Sequence, residues 1–264
     1  MILKKLRKYR RIFYLLFGII ILTVAIAMKS RYNNTICSDI IVSVKDSAVQ
    51  QFVTRSTIID YLTQNIGYNI KGNKFKNIDI DEIEKIIEKI PFIKNAEVYR
   101  TRDDVIAISV TQRSAIACIF DQNGSRLYID NEGFILPLSD NFTAYVPVFN
   151  GKIEHIDSII GLNVNDTLLL NSVYHDVFVI AKQIHNDRFI DNLIDQVYLN
   201  NNDFELIPKV GDFVIVIGDT SRIKQKFDNL KVFYKNVPQK FGWDIYTKVN
   251  LKYSNQIVCT KKSN

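Results

Sequence analysis

The sequence predicts an α+β protein with a single N-terminal transmembrane helix, a small β-α-α-β-β domain, and a mixed or antiparallel β-sheet domain with packed helices. Three observations predict it. The chain opens with an unbroken apolar run, two patterned helices lie between strands over residues 38–113, and from Ser114 onward short apolar runs alternate with hairpin-type turns. Periodicity decides each assignment. Apolar side chains at every second residue mark a half-buried strand, and apolar side chains at i, i+3, i+4 and i+7 mark one face of a helix. The expected division is a basic tail at 1–11, a membrane helix at 12–28, a linker at 29–37, a first domain at 38–113, a second at 114–260 and a tail at 261–264.

The opening run, Ile12 to Met28 (IFYLLFGIIILTVAIAM), carries no charge and no proline. A helix rises about 1.5 Å per residue and a bilayer core is about 30 Å thick, so roughly 17–25 apolar residues span it. Lys4, Lys5, Arg7, Lys8, Arg10 and Arg11 precede the run, and no acidic residue precedes Asp39. Basic residues beside a first hydrophobic segment stay on the cytoplasmic side, so the short N-terminus is expected inside and the body after about Lys29 outside. A cleaved signal peptide is the rival reading, because a basic start, an apolar core and the small residues Ala25 and Ala27 also fit it. Against it, the core exceeds the usual ~7–15 residues, and Met28 and Lys29 make a poor cleavage site.

The formal charge of +6 has the sign of a nucleic-acid binder, but its distribution argues otherwise. With the six basic residues before the apolar run set aside, and Lys29 and Arg31 after it, 26 Lys and Arg stand against 28 Asp and Glu. The excess is a topology signal at an anionic membrane. No basic stripe with interleaved aromatics follows, so no nucleic-acid partner is expected. Cys37, Cys118 and Cys259 are odd in number and far apart, which is neither a disulfide framework nor a zinc spacing. One pair has the option of bridging in an oxidising compartment. The default for Cys118 and Cys259 is a small buried hydrophobe.

In the first domain, Ile40 to Val44 alternates as a strand. Thr54 to Asn65 reads as a helix with Ile58, Ile59 and Leu62 on one face, capped by Thr54 or Ser56 and ended by Gly67. In the second helix Asp79 and Glu82 have the spacing of a capping box, Ile80, Ile83, Ile86, Ile87 and Ile90 form the stripe, and Pro91 stops it. Strands Ala96–Arg100 and Val105–Gln112 follow, joined by the polar turn Thr101–Asp104.

In the second domain, Ala115–Phe120, Leu127–Ile129 and Phe134–Leu136 read as strands separated by the turns 122–125 and 130–133. Val173, Val177, Ile180, Ala181 and Ile184 give a helix. Val197–Leu199, Phe204–Ile207 and Phe213–Ile217 read as strands, and Asp219–Tyr234 as a helix with Ile223, Phe227, Leu230 and Tyr234 inward. Asp244–Leu251 alternates as a strand, and Lys252–Thr260 is expected to continue as a terminal strand.

Signatures of chemistry are missing. No GxSxG, HExxH or SxxK occurs, and His155, His175 and His185 have no metal-like spacing. Gly218-Asp219-Thr220-Ser221 opens a helix, which suits an anion, but the glycines and lysine of a phosphate loop are absent and capping explains it. Asp130, Glu132 and Gly133 lack the ligand spacing of a calcium loop and read as a tight turn. No catalytic residue, cofactor, metal or small-molecule substrate is therefore expected. A terminal strand has one neighbour in sequence, so its outer edge can accept a strand from a partner. Tyr253 is the natural anchor there, or else it covers the domain core.

The order of parts resembles the bacterial cell-division protein family FtsQ/DivIB. The resemblance rests on IEKIPFIKNAEVYRTRDDVIAISVTQR (84–113), YIDNEGFILPLS (128–139), FELIPKVGDFVIVIGDTSRIKQKFDNL (204–230) and VNLKYSNQIV (249–258). It implies that the first domain is a POTRA domain and the second an FtsQ-type β domain. It further implies a non-enzymatic, single-pass inner-membrane scaffold of the divisome, periplasmic in bulk and essential for septum formation. Such proteins recruit FtsB- and FtsL-like coiled coils through the last strand, and their POTRA domain contacts others such as FtsK. By position, the implied partner-binding residues are Lys252, Tyr253, Ser254, Asn255, Gln256, Ile257 and Val258. Gln112, Arg113 and Ser114 depart from the acidic residue and proline usual after the third POTRA strand. The Asn- and Ile-rich composition is similar to divergent Bacteroidota members. Two other classes stay open: a POTRA-bearing envelope-assembly or secretion protein that binds client chains, and an anchored enzyme, which needs a pocket of converging polar groups.

Overall fold

The computed structural model describes residues 14, 16–27, 29, 34–45, 50–243, 245–254 and 256–262. Residues 16–27 are helical and exposed. No helix among the described residues is long and apolar enough to cross a membrane. The basic tail and positions 12, 13, 15 and 28 of the expected span lie outside the described residues. The chain forms two compact units, one of residues 1–45 and 53–111, the other of 46–52 and 112–264.

The first unit holds β1 (Asp39–Lys45), α1 (Arg55–Ile66), α2 (Ile80–Ile87), β2 (Ile93–Arg100) and β3 (Val105–Gln112), apart from Gln112 itself. Its sheet runs β1-β3-β2, and β1 lies parallel to β3 with Ile40 opposite Ile106, Val42 opposite Ile108 and Val44 opposite Val110. On β3 the inward residues Ile106, Ile108 and Val110 are buried together with Ile58 and Leu62 of α1 and Ile83, Ile86 and Ile87 of α2. Both expected N-caps form, but of the capping box only the Asp79 half does, because the Asp79 N–H donates to Tyr68 Oη at 3.3 Å. Thr54 Oγ1 accepts from the Thr57 N–H at 3.2 Å, and Asp79 Oδ1 accepts from the Glu82 N–H at 3.1 Å. Gly67 ends α1 at φ 76°, a left-handed conformation that favours glycine.

The second unit is built on a nine-stranded sheet in the order β12-β11-β10-β9-β8-β7-β4-β5-β6. The strands are β4 (Ala115–Phe120), β5 (Arg126–Asp130), β6 (Ile135–Leu136), β7 (Val148–Gly151), β8 (Ile194–Asn200), β9 (Asp203–Pro208), β10 (Val214–Gly218), β11 (Tyr246–Asn250) and β12 (Val258–Lys261). The sheet is mixed: β4–β7, β7–β8 and β10–β11 are parallel, while β4–β5, β5–β6, β8–β9, β9–β10 and β11–β12 are antiparallel. Its core is sealed by α3 (Val173–His185), α4 (Arg188–Leu193) and α5 (Ile223–Phe241), with Val177, Ile180 and Ile184 of α3 and Leu230 of α5 fully buried.

Several elements differ from expectation. β7 and α4 carry too few residues for a periodic signal, and the Asp187 carboxylate starts α4 by accepting from the N–H groups of Phe189 and Ile190. Helix α5 runs past Tyr234 to Phe241. The terminal strand is not Lys252–Thr260 but Val258–Lys261, because the preceding residues are folded into a held turn. Lys261, expected in the tail, closes that strand opposite Tyr246.

The positions that depart from the family pattern have local tasks. Gln112 is buried and donates through Nε2 to the Gln50 carbonyl at 3.2 Å, while the Gln50 side chain bonds both the N–H and the carbonyl of Ala115. Arg113 Nη1 meets Asp130 Oδ2 at 2.8 Å. Asp130 Oδ1 then accepts from the N–H groups of Glu132 and Phe134, so its carboxylate shapes the tight turn expected there.

Candidate functional site

Strand β12 pairs with β11 on one side, Val249 facing Cys259 and Asn250 facing Val258, and it is the outermost strand of the sheet. The Lys262 N–H donates inward to the Ile245 carbonyl at 2.9 Å. Main-chain direction alternates along an extended strand, so Thr260 also faces β11 while Cys259 and Lys261 direct their N–H and C=O groups to the open side. The side chains alternate across the other axis. Ile257 and Cys259 pack against the core, and Val258 and Thr260 are exposed.

The turn ahead of β12 is held from three sides. The Leu251 N–H donates to the Val216 carbonyl at 2.8 Å, and Lys252 Nζ reaches both oxygens of Asp203 at 2.8 and 2.9 Å. That carboxylate holds the Lys252 ammonium above its ordinary pKa. From the start of α5, the Arg222 guanidinium donates to the Lys252 carbonyl and to Ser254 Oγ. Between these fixed residues Tyr253 is 50% exposed, so it does not cover the core.

Of the residues expected to bind a partner, Lys252, Tyr253, Ser254, Gln256 and Val258 are exposed and Ile257 is half-buried. Asn255 lies outside the described residues. Of the described ones only Val258 belongs to the strand; Lys252, Tyr253 and Ser254 lie in the turn before it, and Gln256 and Ile257 lead into it.

The opposite comparison is the outer strand β2 of the first unit. There the Glu84 carboxylate accepts from the Val98 N–H at 2.7 Å and the Glu88 carboxylate from the Ala96 N–H at 3.3 Å. These are outward main-chain donors of β2, so carboxylates of α2 and its C-cap occupy this edge, whereas among the described residues no strand pairs with the outer side of β12.

Elsewhere the titratable groups serve local structure. His155 is wedged between the carboxylates of Asp121, at 2.5 Å from Nδ1, and Asp157, at 2.9 Å from Nε2. Asp121 also accepts from the N–H groups of Asn123 and Ser125, which turns the chain between β4 and β5. Sequence spacing gave no sign of this contact, since Asp121 and His155 meet only through the fold. Among the described residues no group of three or more His, Cys, Asp or Glu side chains is placed to hold a metal, and all three cysteines are free. A polar hollow of about 360 Å³ holds Lys152, Glu154 and Asp176, but Lys152 is bonded to Asn201 and Asp176 accepts from Thr220 at 3.0 Å.

Two family models match the chain. Residues 113–260 match the family described as FtsQ/DivIB, C-terminal related, and residues 35–111 match a POTRA-like domain. A curated relative, the cell division protein FtsQ of Koribacter versatilis (strain Ellin345), is 34% identical over 97 residues. That match covers 36% of this chain and 27% of the relative, so it spans about a quarter of the relative's length.

Proposed function

We propose, given that the chain belongs to the FtsQ/DivIB C-terminal related family, that it is a non-enzymatic scaffold of the bacterial division machinery. In this reading the apolar run at 12–28 anchors it in the inner membrane, with the two folded units in the periplasm. It recruits FtsB- and FtsL-like partners by accepting one of their strands on β12, a step essential for septum formation. The observation that carries the reading is the position of β12 at the open end of the nine-stranded sheet. A strand added there gains main-chain hydrogen bonds from Cys259 and Lys261, while Tyr253 and Val258 offer apolar contact. Membrane anchoring confines both partners to one layer and raises their effective concentration, so each contact can be modest.

The test is a photo-reactive side chain at position 253 in dividing cells, with the captured protein identified by mass spectrometry. The reading expects a single-pass division protein, and expects removal of residues from Lys252 onward to abolish its recruitment. Capture of many unrelated envelope polypeptides would favour client binding, and full recruitment by the truncated chain would refute the edge-strand mechanism.

A further inference from the structure

Arg222 has φ 52°, the left-handed region that a side chain with a β-carbon enters at a cost. Such an outlier persists where its surroundings impose it. Here a lysine imposes it from inside: Lys226, only 3% exposed, donates through Nζ to both the carbonyl and Oδ1 of Asp219 at 2.8 Å. Asp219 Oδ1 also accepts from the N–H of Ser221 at 3.2 Å, and the Lys226 N–H bonds the Arg222 carbonyl at 3.0 Å. The turn before α5 is thus locked around a buried cation, an arrangement lysine adopts only when paired.

The product of this lock is the direction of one side chain. The Arg222 fork places Nη2 3.1 Å from the Lys252 carbonyl and Nη1 against Ser254 Oγ, so it grips the residues on both sides of Tyr253. Gly218, at φ 69°, leaves room for the Lys252 stem: a β-carbon there would stand 2.9 Å from Lys252 Cγ.

We infer that Arg222 is a positioning residue for partner docking, which holds the 252–254 turn and the entry into β12 in their bound form before a partner arrives. The inference rests on the docking reading above and adds to it a residue outside the edge strand. A partner that meets an ordered edge loses less conformational freedom on binding than one that must order it. The two acceptors lie on residues two positions apart and are met by separate nitrogens of one rigid planar fork, a span that the single ammonium nitrogen of a lysine does not reproduce.

The experiment compares the full-length chain with Arg222→Gly and Arg222→Lys. Glycine accepts the left-handed backbone, so the fold survives while the fork is lost. Hydrogen exchange on the purified proteins is expected to speed up about tenfold at residues 252–254 and 256–258 in both variants, with β10 and α5 unchanged. A photo-reactive side chain at Gln256 in cells is expected to give the wild-type adduct at least about fivefold more weakly in both variants, a loss of about 1 kcal/mol of docking energy. Unchanged exchange overturns the inference, as does rescue by lysine. Faster exchange with undiminished adduct also overturns it while leaving the docking reading intact. Faster exchange throughout β10 and α5 makes Arg222 a general stabiliser and likewise overturns it. Absence of any defined adduct in the wild type defeats the docking reading itself, and the inference with it.

Discussion

Glu84 Oε1 accepts a hydrogen bond from the main-chain N–H of Val98 at 2.7 Å, joining a helix carboxylate to the outer strand of the first unit's sheet. Val98 is only 6% exposed, so in the folded protein its N–H depends on this carboxylate for its partner. A hydrogen bond to a charged group contributes about 1.5–3 kcal/mol. Glu84→Ala is expected to lower stability by about that amount, and Glu84→Gln, which keeps an acceptor, by less. Urea unfolding followed by circular dichroism measures both.

Gly151 ends β7 at φ 100°, with Leu199 of β8 pressed against it: a β-carbon would lie 2.4 Å from the Leu199 carbonyl oxygen. The obstacle is backbone in a central sheet pairing, so it cannot swing aside as a flexible side chain would. Gly151→Ala is expected to cost about 1–3 kcal/mol from the backbone conformation alone, with the displacement of β8 added. Calorimetry should show a melting temperature lower by several degrees, roughly 2–4 °C for each kcal/mol in a domain of this size.

The contact of His155 with Asp121 and Asp157 gives stability a pH dependence of definite sign. The Asp121 and Asp157 hydrogen bonds raise the His155 pKa above its usual 6.5. A raised pKa in the folded state means full stabilisation below about 6.5 and progressive loss as pH rises through the folded value. Asp121 works in the other direction. Burial alone would raise it, but His155 and the N–H groups of Ser125 and Asn123 outweigh burial and lower it. Its stabilisation is therefore present above about pH 3.8 and is lost as pH falls through the lowered value. Denaturant midpoints are expected to fall as pH rises above about 6.5, and His155→Asn should flatten that slope. A slope that survives the substitution would assign it to another group.

How much of this was legible in the sequence depends on range. The POTRA-like unit was almost fully readable, because Thr54, Asp79, Gly67 and the isoleucine stripes act within a few residues of themselves. The hairpins of the second unit were readable for the same reason. β7 was not, because its four residues gain strand character only from β4 and β8, distant in sequence and parallel to it. The site was legible in part. Alternation placed an edge at the C-terminus, but it ran the strand through Lys252–Ile257, where the competing interaction is the grip of Arg222. An arginine about thirty residues upstream leaves no local pattern to find.

The direction of main-chain groups along β12 separates docking through the backbone from docking through side chains. Lys261 turns its N–H to the open side and Thr260 turns its own toward Lys248 of β11, as the inward bond from Lys262 to Ile245 fixes by alternation. Proline removes one donor and little else where its ring fits an edge strand. Lys261→Pro is therefore expected to keep the folded unit within about 1 kcal/mol of wild type while weakening partner recruitment in cells. Thr260→Pro withdraws an inward donor instead, and should cost about 1–3 kcal/mol by leaving a β11 carbonyl unpaired. Thermal melts of both variants, set beside crosslinking from position 253, distinguish the cases. If Lys261→Pro recruits its partner at full strength, the partner is not adding a strand, and Tyr253 and its neighbours hold it by side chains alone.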